Sequence, residues 1–264
     1  MAALAATAGT AAGAQVIYNN IPLPFPGGMS SMAFQATQTS EFGGQVQFAG
    51  ALRARPTVTV VMSSWACQSG NWFENDCVTS PGATFTEPVT LNVYEVGAGG
   101  APGALLASDT QTFQMPYRPS ANHVKCPQTG PEESGRFFLK GECLHERVFK
   151  ILFPNVPLNL PEKAIITVAY NTSQYGPAPY GALACESEPQ GCPYDSLNVA
   201  VRNPGFEATP VPTVGSDPLP EDAYISSITA GNYCENPGGV GKLAISKNCW
   251  TQEQPAIAVK ATKH

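Results

Sequence analysis

The sequence predicts an all-β protein: a single antiparallel β-sandwich, jelly-roll-like, with long disulfide-stapled loops. Three observations predict it. Short runs in which apolar and polar residues alternate recur from residue 16 to 261, and period two is the signature of a half-buried strand. Gly and Pro number 25 each while charged residues are 13% of the chain, a balance that supplies turns and starves helical faces. The eight cysteines fall into four sequence neighbours, each pair bracketing a loop-like stretch.

The strands follow in order. Residues 45–48 (QVQF) alternate, and in 57–62 (TVTVVM) Val58, Val60 and Met62 share one face. In 88–96 (PVTLNVYEV), Val89, Leu91 and Val93 line one face and Thr90, Asn92 and Tyr94 the other, as an antiparallel sheet with one buried side requires. The run 105–115 (LLASDTQTFQM) follows GAGGAPGA, a hairpin-type loop. Then come 147–153 (RVFKILF), 163–170 (KAIITVAY), 196–201 (SLNVAV), 224–229 (YISSIT) and 256–261 (AIAVKA), nine strands in all with no helical pattern among them. The Pro-rich stretch 203–222 is the best linker candidate. Only about forty residues follow it, too few for a separate domain, so it reads as an internal loop returning the chain to the same sheets.

Residues 15–264 form the expected sandwich, and residues 1–14 stand outside it. Ala12-Gly13-Ala14 before Gln15 matches the small-residue site of signal peptidase, and an Ala-rich stretch precedes it, without a basic n-region. Two readings of 1–14 stay open: the remnant of an export signal, or a disordered tail. Export sets the expected location as secreted and extracellular, where disulfides persist.

The pairs are Cys67/Cys77, Cys126/Cys143, Cys185/Cys192 and Cys234/Cys249, the simplest of the 105 connectivities that eight cysteines allow. Each begins near the end of an alternating run, so each staple ties a loop to the sheet edge it leaves. A closed loop of this size gains about 2–3 kcal/mol from reduced unfolded-state entropy. Zinc competes at the second pair: His123, Cys126, Cys143 and His145 supply an N2S2 set of ligand types, although the spacing differs from ordinary zinc motifs.

Several stretches resemble a family as a group: SEFGGQVQFAG, RARPTVTVVMSSWAC, PVTLNVYEVG with PGALLAS, ITVAYNTSQYG and CPYDSLNVAV. Together they resemble secreted bacterial proteins of an actinobacterial type, extracellular β-sandwiches with paired cysteines and of uncharacterised function. The resemblance spans most of residues 16–261, implies export and the sandwich fold, and brings no catalytic motif with it.

Function classes narrow further. Net charge is −6 with no Lys/Arg-rich run, which argues against sequence-independent nucleic-acid binding. No apolar run reaches the ~18 residues of a spanning helix. Nucleophile elbows, zinc-protease helices and phosphate loops are absent as motifs. Loop carboxylates at Glu74, Asp76, Glu132, Glu133, Glu142, Glu186, Glu188 and Asp195 supply the residue type of a glycan hydrolase or lyase on a jelly roll. Glu74-Asn75-Asp76 is the densest oxygen cluster for a structural calcium, without the EF-hand pattern; no cofactor is otherwise expected. Asn171-Thr172-Ser173 matches the glycosylation sequon.

Loop aromatics carry the binding expectation. Trp72 lies in the first stapled loop beside Phe73, and Tyr170, Tyr175 and Tyr180 recur five apart among Gly and Pro. Rigid aromatic faces stack on sugar rings, and neighbouring amides add polar contacts. Trp72, Tyr175 and Tyr180 are therefore the candidate ligand-binding residues, with polysaccharide or cell-surface components as partners. The sequence is read as a non-enzymatic secreted or cell-surface protein with a structural, adhesive or ligand-binding role; a carbohydrate-binding module and a jelly-roll glycan hydrolase or lyase are the alternatives.

Overall fold

The computed structural model describes residues 13–176, 185, 190–202, 212–227, 241–246, 250 and 252–263. Tyr180, Cys234, Cys249, Glu186, Glu188, most of the N-terminal stretch and parts of the Pro-rich loop lie outside the described residues. Among those described, every regular element is a strand or a short 3-10 turn.

Two antiparallel sheets face each other. In the first, β1 (Gln15–Asn19), β15 (Ile257–Thr262), β4 (Ala54–Ser64), β11 (Leu197–Arg202) and β14 (Gln254–Pro255) follow in hydrogen-bonded order. β2 (Ser31–Met32) joins β11, and β9 (Arg147–Phe153) takes the other edge of β4. The second sheet runs β13 (Ala244–Ser246), β12 (Ala223–Ser227), β3 (Thr39–Gln47), β10 (Lys163–Ala169), β5 (Thr84–Val96), β6 (Pro102–Pro116). A small hairpin, β7 (Phe137–Leu139) with β8 (Glu142–Leu144), stands apart. Most connections cross from one sheet to the other, the jelly-roll manner of winding.

The alternation in the sequence places the core. Val58, Val60 and Met62 of β4 and Val89, Leu91 and Val93 of β5 are all buried in one cluster shared by both sheets. Phe113 of β6 meets Phe153 of β9 edge-on at 5.1 Å across the interlayer, and the Tyr170 hydroxyl donates to the Leu197 carbonyl at 2.8 Å from one sheet to the other. Val61, on the opposite face of β4, is buried too: a second cluster joins it to Ile21, Val148, Ala200 and Ala256, under Phe25 and Met29 of the segment that follows β1. An apolar residue on each face of β4 thus reflects a cover over the outside of the first sheet.

Gly43 and Gly44 of β3 allow two close approaches. A Cβ on Gly43 would stand 2.3 Å from the Ile166 carbonyl oxygen of the neighbouring strand. One on Gly44 would stand 1.7 Å from Gln254 Oε1, where the buried Gln254 amide donates to the Asp222 carbonyl at 2.7 Å. Close approach of another chain segment is a recurrent reason for glycine inside a strand.

The described part of the Pro-rich stretch bonds both sheets. Thr213 N–H donates to the Asn19 carbonyl at 2.7 Å and Ser216 N–H to that of Gln47 at 3.0 Å, as an internal loop would.

Among the described residues three staples are formed: Cys67–Cys77, Cys126–Cys143 and Cys185–Cys192, with Cα separations of 5.5, 5.6 and 5.0 Å. The second bond commits both sulfurs of the zinc candidate His123, Cys126, Cys143 and His145. Zinc needs thiolates, so that ligand set is corrected to a disulfide flanked by two histidines. No helix among the described residues is long and apolar enough to cross a membrane.

Candidate functional site

The last residue of β4 is Ser64, and the chain leaves the sheet through Trp65 into the first stapled loop. Trp65 is fixed at its root by a backbone bond to the Ser196 carbonyl (2.9 Å), and its indole N–H donates to Ser31 Oγ at 3.3 Å. The same hydroxyl accepts from Asn198 Nδ2 at 3.2 Å. Trp72 lies edge-on to Trp65 at 4.7 Å, Phe73 edge-on to Trp72 at 5.2 Å, and the His145 ring stacks on Trp65 at 5.9 Å. Edge-to-face contacts of this kind suit the aromatic quadrupole and add to area burial.

The loop holding Trp72 is shaped by its own backbone. Ser69 and Val78 exchange two backbone bonds (3.0 and 2.9 Å) beside the disulfide, and Asp76 Oδ1 accepts the Asn71 N–H at 2.8 Å. Gly70 has φ +75°, and a Cβ there would lie 2.2 Å from the Asp76 carbonyl oxygen, so both conformation and space require glycine. From beneath, the fully buried Arg118 reaches the Trp72 carbonyl with Nη1 at 2.9 Å and the Gly135 carbonyl with Nη2, with its guanidinium 5.1 Å from the Phe137 ring centroid. Burial pushes the Arg118 guanidinium down to about 10, and the Glu146 charge opposes the shift. Glu146 itself is pushed up by burial, while its Oε1 accepts the Met29 N–H at 3.0 Å.

The third stapled loop makes the facing wall. Gln190 Oε1 accepts the Thr86 N–H at 2.6 Å, and its Nε2 donates to Thr86 Oγ1 at 3.0 Å and the Tyr194 hydroxyl at 3.1 Å. This docks the loop on β5, and Gly191, Cys192 and Pro193 line one groove together with Trp72. Between the two loops lies a groove of about 670 Å³. Its lining combines the aromatic rings of Trp65, Trp72 and Phe73 with the polar groups of Ser31, Gln35, Gln68, Asn71 and Asn198. Among the described residues that line it, Asp195 is the one charged group.

The sequence-predicted residues separate here. Trp72 lies in the groove. Tyr175 is 42% exposed in the loop after β10 and is not among the groove's residues, and Tyr180 lies outside the described residues. Tyr170 is fully buried, its hydroxyl bonded in the core, and burial holds that hydroxyl well above its ordinary pKa. Two of the loop carboxylates cap loop backbone: Asp76 as above, and Glu133, which accepts the Thr129 N–H at 2.8 Å and pairs with Arg136 at 3.5 Å. At the calcium candidate, Asn75 Oδ1 accepts the Gly135 N–H at 2.6 Å, so its oxygen and that of Asp76 already serve backbone donors. Asn171 of the sequon is 3% exposed, and its Oδ1 accepts from Ser173 N–H (2.9 Å) and Oγ (3.1 Å).

Sequence reasoning missed Trp65, Arg118 and Gln190. Trp65 had a signal, an aromatic two residues before a stapling cysteine; Arg118 and Gln190 act through partners 46 and 104 residues away and had none. Comparison of the chain with protein-family models, with curated proteins and with solved structures found no match, so the geometry stands as the ground for function.

Proposed function

We propose that the chain is a non-enzymatic extracellular β-sandwich that binds a neutral glycan in the groove beside Trp72. The observation that carries this reading is the mixed lining of one groove: Trp72, Phe73 and Trp65 stand there together with amides and hydroxyls. Sugar rings present an apolar face and a rim of hydroxyls, and such a groove meets both. The described lining offers no cation for an anionic sugar, and its one carboxylate, Asp195, is half of the pair that glycoside hydrolysis uses. Staples on both walls fit an oxidising compartment and limit the ordering cost of binding.

The test is a panel of neutral polysaccharides and oligosaccharides, read by calorimetry and by quenching of indole fluorescence. Binding is expected, with Trp72→Ala weakening it at least tenfold, about 1.4 kcal/mol, and Trp72→Phe weakening it less. Binding that survives Trp72→Ala unchanged, or no binding to any neutral glycan, rejects the reading.

A further inference from the structure

The free edge of the second sheet is built to pair. β6 spans Pro102–Pro116 and bonds to β5 on one side only, with no further strand beyond it among the described residues. Seven of its fifteen residues are exposed, and its burial pattern alternates from 107 onward.

Which backbone groups are open follows from the register. Thr86 gives its N–H to Gln190, away from β6, and Thr86 stands opposite Gln114. Antiparallel pairs alternate between mutually bonded and unbonded positions. Met115, Phe113, Gln111 and Asp109 are therefore the residues that bond β5, and Gln114, Thr112, Thr110 and Ser108 aim their N–H and C=O groups outward. Pro88 opposite Thr112 and Pro116 opposite Thr84 agree, since neither has an N–H to lend to the ladder at those positions.

Natural edges are usually blunted by lysine, proline, bulges, inward-pointing charges or a covering loop; β6 has register shifts over 102–107 and one inward-row charge, Asp109, and is otherwise regular. Here no proline or lysine falls between 103 and 115, the register is unbroken from 107 to 116, and Asp109 is the one charge. The four outward-bonding residues also carry small or amide side chains on one exposed face.

We propose that β6 pairs with β6 of a second copy of this chain, antiparallel about a two-fold axis at Gln111. In that register Thr110 faces Thr112 of the second copy and Ser108 faces Gln114, with two backbone bonds at each of the four paired positions. Asp109 then faces Phe113 rather than its own copy. The two aspartates stand four residues apart, roughly 14 Å along the strand, beyond the screening length in physiological salt. Shifting the axis to Asp109 would set the two carboxylates face to face, which disfavours that register. The two second sheets become one twelve-stranded sheet, closed by symmetry. This pairing is independent of the groove.

Sedimentation equilibrium and light scattering of the full chain at about 100 µM test it. Twice 27.7 kDa is expected. Thr112→Pro removes one outward N–H without touching the bonds to β5, and the double variant Thr110→Lys/Thr112→Lys charges the edge; both are expected to be monomers with an unchanged circular dichroism spectrum. Gln111→Cys is expected to form a chain-to-chain disulfide that Thr84→Cys, on the neighbouring strand, does not. A monomeric wild type, a species larger than a dimer, or a dimer that persists in both edge variants overturns the proposal.

Discussion

Arg118 donates to the backbone carbonyl of Trp72 across 2.9 Å, so the aromatic wall of the groove rests on a buried cation. The same guanidinium holds Gly135, which ties the first stapled loop to the second.

Arg118→Met should therefore act on both stability and binding. It leaves two carbonyls without their donor, at about 1–3 kcal/mol each, and in a chain of this length each kcal/mol is worth about 2–4 °C of Tm. A Tm lowered by several degrees together with weaker glycan binding is expected; a Tm unchanged in calorimetry would show that the clamp contributes nothing.

Reducing the staples should loosen the loops before the sheets. Replacing Cys67 and Cys77 by alanine removes a bridge with a sequence separation of 10, worth about 2–3 kcal/mol on the chain-entropy account. Hydrogen exchange should rise over residues 67–77 while β4 and β10 stay protected. Equal exchange in the loop with and without the bridge would contradict the staple.

The two glycines of β3 should differ in kind. Gly43→Ala drives a Cβ into a backbone oxygen that cannot move without its strand, whereas Gly44→Ala meets the end of the Gln254 side chain. Overpacking costs about 1–3 kcal/mol, with Gly43→Ala the costlier. Gln254→Ala should relieve much of the Gly44→Ala loss and none of the Gly43→Ala loss, read from a double-mutant cycle in urea. Equal relief of both would refute the assignment.

Asp217 gives the chain a pH dependence. Burial raises its carboxyl to about 6, aided by Asp222, against the Leu219 N–H bond. Its folded pKa exceeds the 3.8 of an ordinary aspartate, so its stabilising contribution is full below about pH 4 and is lost as pH rises through about 6. Asp217→Asn keeps the bond to Leu219 and removes the charge. Its Tm should exceed that of the wild type by a few degrees at pH 7.5 and match it near pH 4. A variant less stable at pH 7.5 would count against this.

The nine long strands were legible because each spends enough residues on one face for the alternation to show. β2 and β14 have two residues and β7, β8 and β13 three, too few for any period, and they exist because a neighbour offers bonds. β1 buries both Ile17 and Tyr18, consecutive residues, since its register shifts between Val16 and Tyr18; a strict period-two reading misses it. At the groove, composition singled out one lining residue, Trp72, because an aromatic in a stapled loop has few ways to bury itself. It assigned Tyr175 the same role, and Tyr175 does not line the groove. Which loops meet is decided by long-range bonds such as Gln190 to Thr86, and those leave no local trace.

The pairing of β1 with β15 fixes the handle of the molecule. Gln15 stands beside Ala261, and Thr262 beside Ala54, at the start of β4. Trp65 and the groove lie just past the other end of that strand, eleven residues on and so roughly 35 Å away. Anything joined to either end of the sandwich, whether a fused domain, an affinity tag or a solid support, therefore attaches at the pole opposite the groove. A support joined directly at Gln15 or at Thr262 would stand at that pole, with Trp72 at the other.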